Sequence, residues 1–336
     1  MSETNAKDDS TMTVPRSSPC QIGQVSSTPA ETPPIPASTT PSSDTEKPLR
    51  YYHQLGAVPF VIAHLVPLYA FWTGTRWQDW ALCAGLYWAR MFGVTAGYHR
   101  YFAHRTYKTS RIFQFFLAFL AQTSAQKGAL WWGAHHRVHH RLSDLEGDPH
   151  NSRKGFWYSH VGWLFVPENQ DTDLSRIKDL AKYPELVWLN RYWLVPPTVL
   201  AVSTYLIGGT SAVLIGFFLS TLFTWHGTFT INSLSHMLGS QRYESNDDSR
   251  NNWFLAILTM GEGWHNNHHH FMNSTRQGFY WWEYDVTYYI LRVLAALRIV
   301  WDIKEPPARV FDPSTHKAAT ASIPPPGIVA PSKAGG

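Results

Sequence analysis

WQDWALCAGLYWARMFGVTAGYHRYFAH, residues 77–104, starts as an apolar run and ends on two histidines, His99 and His104. Its first part, 77–97, is close to the ~20 residues that carry a helix across a bilayer. It is apolar all round, which suits lipid better than a soluble bundle with one wet face. Three more stretches match it: 56–73, 190–208 and 210–231. The run IFQFFLAFLA at 112–121 is too short for a span and is expected to form an interfacial or re-entrant helix. The reading is therefore all-α: four spans in a membrane bundle, with a helical cap built from the polar parts between them.

Composition agrees. Charged residues are only 15% of the chain, aromatics are also 15%, and there are 16 Trp, as expected where aromatic belts meet a lipid interface. A net charge of +4 without a basic stripe argues against nucleic acid. Two cysteines, Cys20 and Cys83, exclude a disulfide framework and a Cys-ligated iron–sulfur cluster. Residues 1–48, rich in Ser, Thr and Pro, are expected to be a disordered tail, and so are 304–336, with one membrane domain at 49–303. Residues 1–48 have no basic start and apolar run of a secretory signal, so they are expected to be retained.

Basic residues set the orientation. The 98–187 segment carries Arg100, Arg105, Lys108, Arg111, Arg137, Arg141, Arg153 and Lys154, while the short loop between the first two spans has Arg76. The positive-inside tendency puts 98–187 in the cytoplasm, and both termini with it. Such a multi-pass protein would lie in the plasma membrane of a bacterium or the endoplasmic reticulum of a eukaryote. Arg90, inside the second span, is a costly charge with no evident partner in the sequence.

Eight of the 17 histidines fall in three groups: His99/His104, His136/His139/His140 and His265/His268/His269. This topology brings all three to the cytoplasmic side. The last two groups share the spacing H-x-x-H-H, whose positions i, i+3 and i+4 lie on one helical face, so each triplet can aim at one centre. His99 and His104 would point about 140° apart on an α-helix, so the helix is expected to end or bend between them. Neutral imidazole suits Fe, Zn, Cu or Ni, and eight are enough for two metals. Glu262 could serve as the base of a zinc hydrolase, or could orient an imidazole. A metal transporter would place ionisable residues mid-span, whereas these histidines sit at span ends.

The segments TAGYHRYFAHRTYKTS, WWGAHHRVHHRLSD, GDPHNSRKGFWYSHVGWLF, TINSLSH and GEGWHNNHHHF carry a resemblance. Region 53–303 resembles the membrane fatty acid desaturases of the acyl-CoA, delta-9 (stearoyl-CoA) type. The resemblance implies two irons on nine histidines, O2 as co-substrate and a long-chain fatty acyl-CoA desaturated at the delta-9 position. It adds His236 as the ninth ligand and Asn232 as a residue reaching one iron through a water. His135, His150, His160, His226 and His270 match no ligand position. Met91 matches a position where bulk limits chain length. Trp132, Arg153 and Lys154 are the other candidate substrate contacts. The Arg-Asp and Arg-Lys pairs that meet CoA in relatives are replaced here by Ala134-His135 and Pro167-Glu168. With no haem domain and no dinucleotide motif, electrons are expected from a separate ferredoxin or cytochrome b5 type donor and its reductase. A His-rich hydroxylase of lipid or alkane would use the same metals.

Overall fold

The computed structural model describes residues 51–317, with side chains from residue 57 onward. The tail expected at 1–48 lies outside the described residues, as does 318–336. What is described is mostly helical, with one two-stranded ribbon pairing Lys108–Thr109 with Val300–Trp301.

The first apolar stretch is not one helix. Tyr51–Leu65 is α-helical, Val66–Tyr69 tightens to a 3-10 turn at Pro67, and Ala70–Thr73 resumes the α-helix. Proline has no N–H for the α pattern, so the register changes there. The second stretch is the helix Trp77–Phe92, started by Asp79, whose carboxylate accepts from the Arg76 backbone N–H and from its guanidinium, both at 2.8 Å. It does not stop at His99. It widens into a π-helix over Gly93–Ala103, and His104 N–H donates to His99 O at 3.2 Å. The helix ends at Ala103, so the expected end does fall between His99 and His104, and the i→i+5 winding before it brings residues five apart back towards one face. Gly93 makes room for the neighbouring helix Arg111–Gln122, because a Cβ there would stand 2.9 Å from Ala121 N.

The other two stretches run together. Val195–His236, 42 residues containing an 18-residue window of mean hydropathy 1.9, is the one helix long and apolar enough to cross a membrane among the described residues. It is folded back on itself. Gly209 has φ 71° and ψ −158°, a conformation only glycine adopts freely. A Cβ at Gly216 would lie 3.5 Å from Thr204 Cγ2, although a straight helix would separate the two residues by about 18 Å. The first limb is Val195–Ser211, so residues 190–194 lie before it, and Pro184–Arg191 is a separate short helix. The second limb is π-wound over Ala212–Leu219 and α-helical over Ser220–Asn232.

This limb supplies partners for Arg90, which is fully buried. Its guanidinium donates to Thr221 Oγ1 at 2.6 Å, to Ser220 Oγ, and to the carbonyls of Leu86, Phe217 and Thr123. Burying a guanidinium is costly, and saturating its donors offsets part of that cost. Large apolar side chains point outward along these stretches, with Phe71 at 84%, Trp72 at 79% and Leu206 at 78% exposure.

The packed domain also runs past 303. Val310 is fully buried, Tyr243 Oη donates to its carbonyl at 2.8 Å, and Lys304 N–H donates to Thr106 O at 3.0 Å. A Pro-rich composition masked this, because isolated anchors rather than a periodic face hold the segment down.

Candidate metal centre

Two helices deliver most of the histidines. Ala129–Leu142 carries His136, His139 and His140, and the short helix His265–His270 carries His265, His268 and His269. Each triplet is divided between two centres instead of aiming at one. His99, His104, His136, His140 and His268 form a group of five, and His139, His236, His265 and His269 form a group of four; within each, one ring nitrogen per residue lies within 4.8 Å of the others. In both triplets the i,i+4 pair goes to one group and the i+3 residue to the other. Positions i and i+4 sit about 40° apart around a helix, while i+3 is about 100° from i+4.

The ring nitrogens converge, and four of the nine rings are held from behind. Nε2 atoms converge: His99 on His268 at 3.0 Å, His136 on His104 at 2.9 Å, His268 on His140 at 2.9 Å, and His236 on His265 at 3.1 Å. Four Nδ1 atoms face carboxylates: His236 to Asp144 at 2.7 Å, His139 to Asp148 at 3.0 Å, His269 to Asp247, and His99 to Glu262, while His265 Nδ1 and His268 Nδ1 are buried without a hydrogen-bond partner. A carboxylate fixes the proton on Nδ1 and leaves the Nε2 lone pair free for a metal. His139 Nε2 and His269 Nε2 are buried without any hydrogen-bond partner. Converging lone pairs repel one another unless a cation sits among them, so the residues fit two metal ions, on five and four imidazoles.

Protonation fits as well. Burial, reinforced by neighbouring imidazoles, pushes His104, His136, His140, His265 and His268 well below the usual 6.5. Burial takes His269 down to about 4, against the pull of Asp247. Burial also acts on His139, but the Asp148 charge more than offsets it and raises the ring. Burial would push Asp144, Asp148 and Asp247 up; their imidazole partners and hydrogen bonds hold them below the usual carboxylate range.

These acids were invisible in the sequence, apart from Glu262. Glu262 stands three residues before His265, the Glu-x-x-His spacing of soluble di-iron bundles, yet its carboxylate is taken by His99 Nδ1, Arg100 and Gln277. Arg100 ties it onward to Asp285, which caps the helix Val286–Ala296. The one usable sign for Asp144 and Asp148 was position: both follow a His-bearing helix end in a chain poor in charge.

A cavity of about 630 Å³ leads to the histidines, lined largely by aromatics such as Phe60, Trp131, Trp163 and Trp225. A smaller cavity of about 30 Å³ lies further in, between Met91, Thr95, His99 and His265. Trp132, His136, His150, Thr228 and Asn232 line both. Asn232 and His236 are thus both at the centre, and Trp132 stacks on His136 at 4.8 Å. Met91 is buried at 1% exposure, where a lipid-facing residue would be open. Arg153 and Lys154 line neither cavity; they pair with Asp248 at 2.8 Å and Glu146 at 3.8 Å on the surface.

Residues 75–301 match the fatty acid desaturase family model, about two thirds of the chain. This chain belongs to the fatty acid desaturase family. Three relatives show its breadth. The sn-1 stearoyl-lipid 9-desaturase of Anabaena variabilis is 36% identical over 248 residues, 73% of this chain and 91% of that protein. An acyl-CoA C20 Delta5-desaturase of Anemone leveillei is 36% identical over 234 residues, 68% of this chain and 75% of its own. The hex-5-enoyl-(acyl-carrier protein) acetylenase of Moorena producens is 34% identical over 319 residues, 88% and 98% of the two chains. The chain is a fatty acyl desaturase, and its His groups suit a metal site.

A second string of histidines lies apart. His64 Nε2 meets His226 Nε2 at 3.0 Å, His226 Nδ1 meets His160 Nε2 at 3.0 Å, and His160 Nδ1 meets Ser233 Oγ at 2.9 Å. It includes His160 and His226, two of the histidines that matched no ligand position.

Proposed function

We propose that this desaturase inserts a double bond at the delta-9 position of a long-chain fatty acyl substrate, with two irons held by the nine histidines. The observation that carries this is the five-and-four convergence of Nε2 atoms at the junction of an aromatic cavity and its blind end. When bound, the irons would supply the redox chemistry that an unactivated C–H bond demands and that acid–base groups cannot. Overall, the reaction takes two hydrogens from the acyl chain, with two electrons and two protons from a donor, and reduces O2 to two waters. The protein's own residues position. Trp132 and His136 would border the reacting methylenes, Met91 would stop the methyl end, and Asn232 would hold a water at the centre. The carboxylates keep His99, His139, His236 and His269 turned inward.

The same reading takes the chain as a four-span membrane protein with cytoplasmic termini. Its supports are the outward apolar residues, the fold-back at Gly209 and the basic 98–187 segment. Its electrons come from a separate ferredoxin or cytochrome b5 type protein. The carrier expected from the resemblance is CoA; the relatives' names span a lipid, CoA and a carrier protein.

The test is expression in a host that lacks unsaturated fatty acids, with a donor supplied, followed by lipid chromatography and metal analysis. Delta-9 monoenes and about two irons per chain are expected. Hydroxylated lipid alone, or one zinc without iron, would overturn the reading. Offering the purified enzyme acyl-CoA, acyl-lipid and acyl-carrier protein assigns the carrier.

A further inference from the structure

One edge of the wide cavity belongs to the membrane. The lining residues shared with the inner cavity, among them Trp132, Thr228 and Asn232, mark its deep end. The exposed lining residues mark its mouth: Pro59, Pro167, Gln170 and Leu194. Pro59 lies in the helix Tyr51–Leu65, within the first apolar stretch. Leu194 caps the limb Val195–Ser211. Val58, Val61 and Ile62 beside the one, and Val199 and Val202 beyond the other, are exposed as well. In the four-span reading these are lipid-facing side chains at the starts of two spans. Pro167 and Gln170 form the opposite edge, from the cap. The mouth therefore opens where the cytoplasmic leaflet meets the cap.

The cap edge carries charge of one sign. Glu168 stands between the lining residues Pro167 and Gln170, Asp171 follows, and both are exposed. No Lys or Arg occurs from 155 to 175. The next, Arg176, is taken by Asp173 at 2.7 Å. Among the described residues lining the cavity, Lys127 is the one fixed cation, and it is committed: it donates to Gln170 O at 2.9 Å and Gln170 Oε1 at 2.8 Å, over the Trp131 ring. Arg191, three residues before Leu194, lies over Tyr192.

These two edges favour different carriers. A CoA thioester brings several phosphate charges, which would meet Glu168 and Asp171 on the cap edge. A diacyl lipid brings its charge, if any, no further than the leaflet surface. Were the mouth in water, its acyl chain would have to leave the bilayer and expose every methylene. A mouth level with the leaflet lets one chain slide in while the second chain and the head stay in place.

The geometry points to sideways entry: the acyl chain passes Pro59 and Leu194 from the cytoplasmic leaflet as an ester of a glycerolipid, and the acidic cap edge turns CoA away. This rests on the functional reading above and deepens it by naming the carrier, in place of the CoA expected from the resemblance.

The experiment places the purified full chain in vesicles of dioleoylphosphatidylcholine and reads binding without the reaction. A stearoyl chain with a diazirine at its middle is offered as the sn-1 ester of phosphatidylcholine or as the CoA thioester. After illumination, labelled peptides are identified by mass spectrometry, and iron is measured. The lipid probe should label the deep-end residues Trp132 or Thr228, which bulk lipid does not reach. The CoA probe should label them at least tenfold less. Glu168→Arg with Asp171→Arg should narrow that ratio about tenfold, because the repulsion is gone. Leu194→Asp, which sets a charge in the lipid edge, should keep its iron and lower deep labelling by the lipid probe about tenfold. Deep labelling by the CoA probe that equals or exceeds that by the lipid probe overturns the proposal. A ratio unmoved by the charge reversal, or lipid labelling unmoved in Leu194→Asp, overturns it too. The wild-type comparison decides even where a variant does not accumulate. Deep labelling by lipid with no olefin formed, when donor and O2 are supplied, fails the functional reading instead, so the two failures are distinct.

Discussion

Two assemblies of histidine occur in this desaturase, and they are built differently. In the nine-histidine centre, carboxylates take the Nδ1 of four rings and the ring nitrogens crowd two points. In the His64–His226–His160 string, rings are joined nose to tail and no carboxylate takes part. His64 Nδ1 donates to Phe60 O at 2.7 Å, which leaves its Nε2 to accept from His226, whose Nδ1 in turn accepts from His160. Every nitrogen in the string is thereby satisfied within the protein. Convergence of buried ring nitrogens, with carboxylates behind four of the rings, sets the group suited to a metal apart from rings that satisfy one another.

Predictions follow from breaking each side. The largest effect belongs to a ligand: His236→Ala should cut bound iron and lower olefin yield by well over the ~100-fold associated with outer partners. Retained iron and full activity would remove His236 from the centre. Next comes Asp148→Asn, which keeps the shape but weakens the hold on His139. Metal affinity should fall about 10–100-fold, read by chelator competition. An unchanged affinity would mean that Asp148 serves only the loop it also caps. Third is Gly93→Ala, whose Cβ meets the Ala121 backbone. It should cost about 1–3 kcal/mol in unfolding and loosen the π-wound segment under His99 and His104, while the string is unaffected. The smallest effect is expected at the string. His226→Phe should leave the iron content untouched and lower stability by about 1 kcal/mol, read as a modest drop in Tm. Iron loss there would erase the contrast between the two assemblies.

Much of the centre was legible in the chain. H-x-x-H-H spacing marks helical faces, and the eight clustered histidines all reach the centre. The same spacing misled in detail, because face geometry does not say how many points a face can serve. His236 stands alone in its segment, and only the resemblance marked it. Asp247 had no signal at all: it reaches His269 across a loop 22 residues away in sequence. The fold was legible in composition and less so in boundaries. A four-stretch hydropathy pattern hid a helix that folds at one glycine, and a Pro-rich stretch after residue 303 hid an anchored Val310.

By itself the sequence determined that this is a helical, lipid-suited chain bearing an imidazole-rich metal chemistry, because apolar length and ligand type are local properties. Tertiary structure alone decided that each triplet divides between two centres and that four carboxylates turn four of the rings inward. Those depend on where separate elements meet, and spacing along a chain does not encode the angle between them.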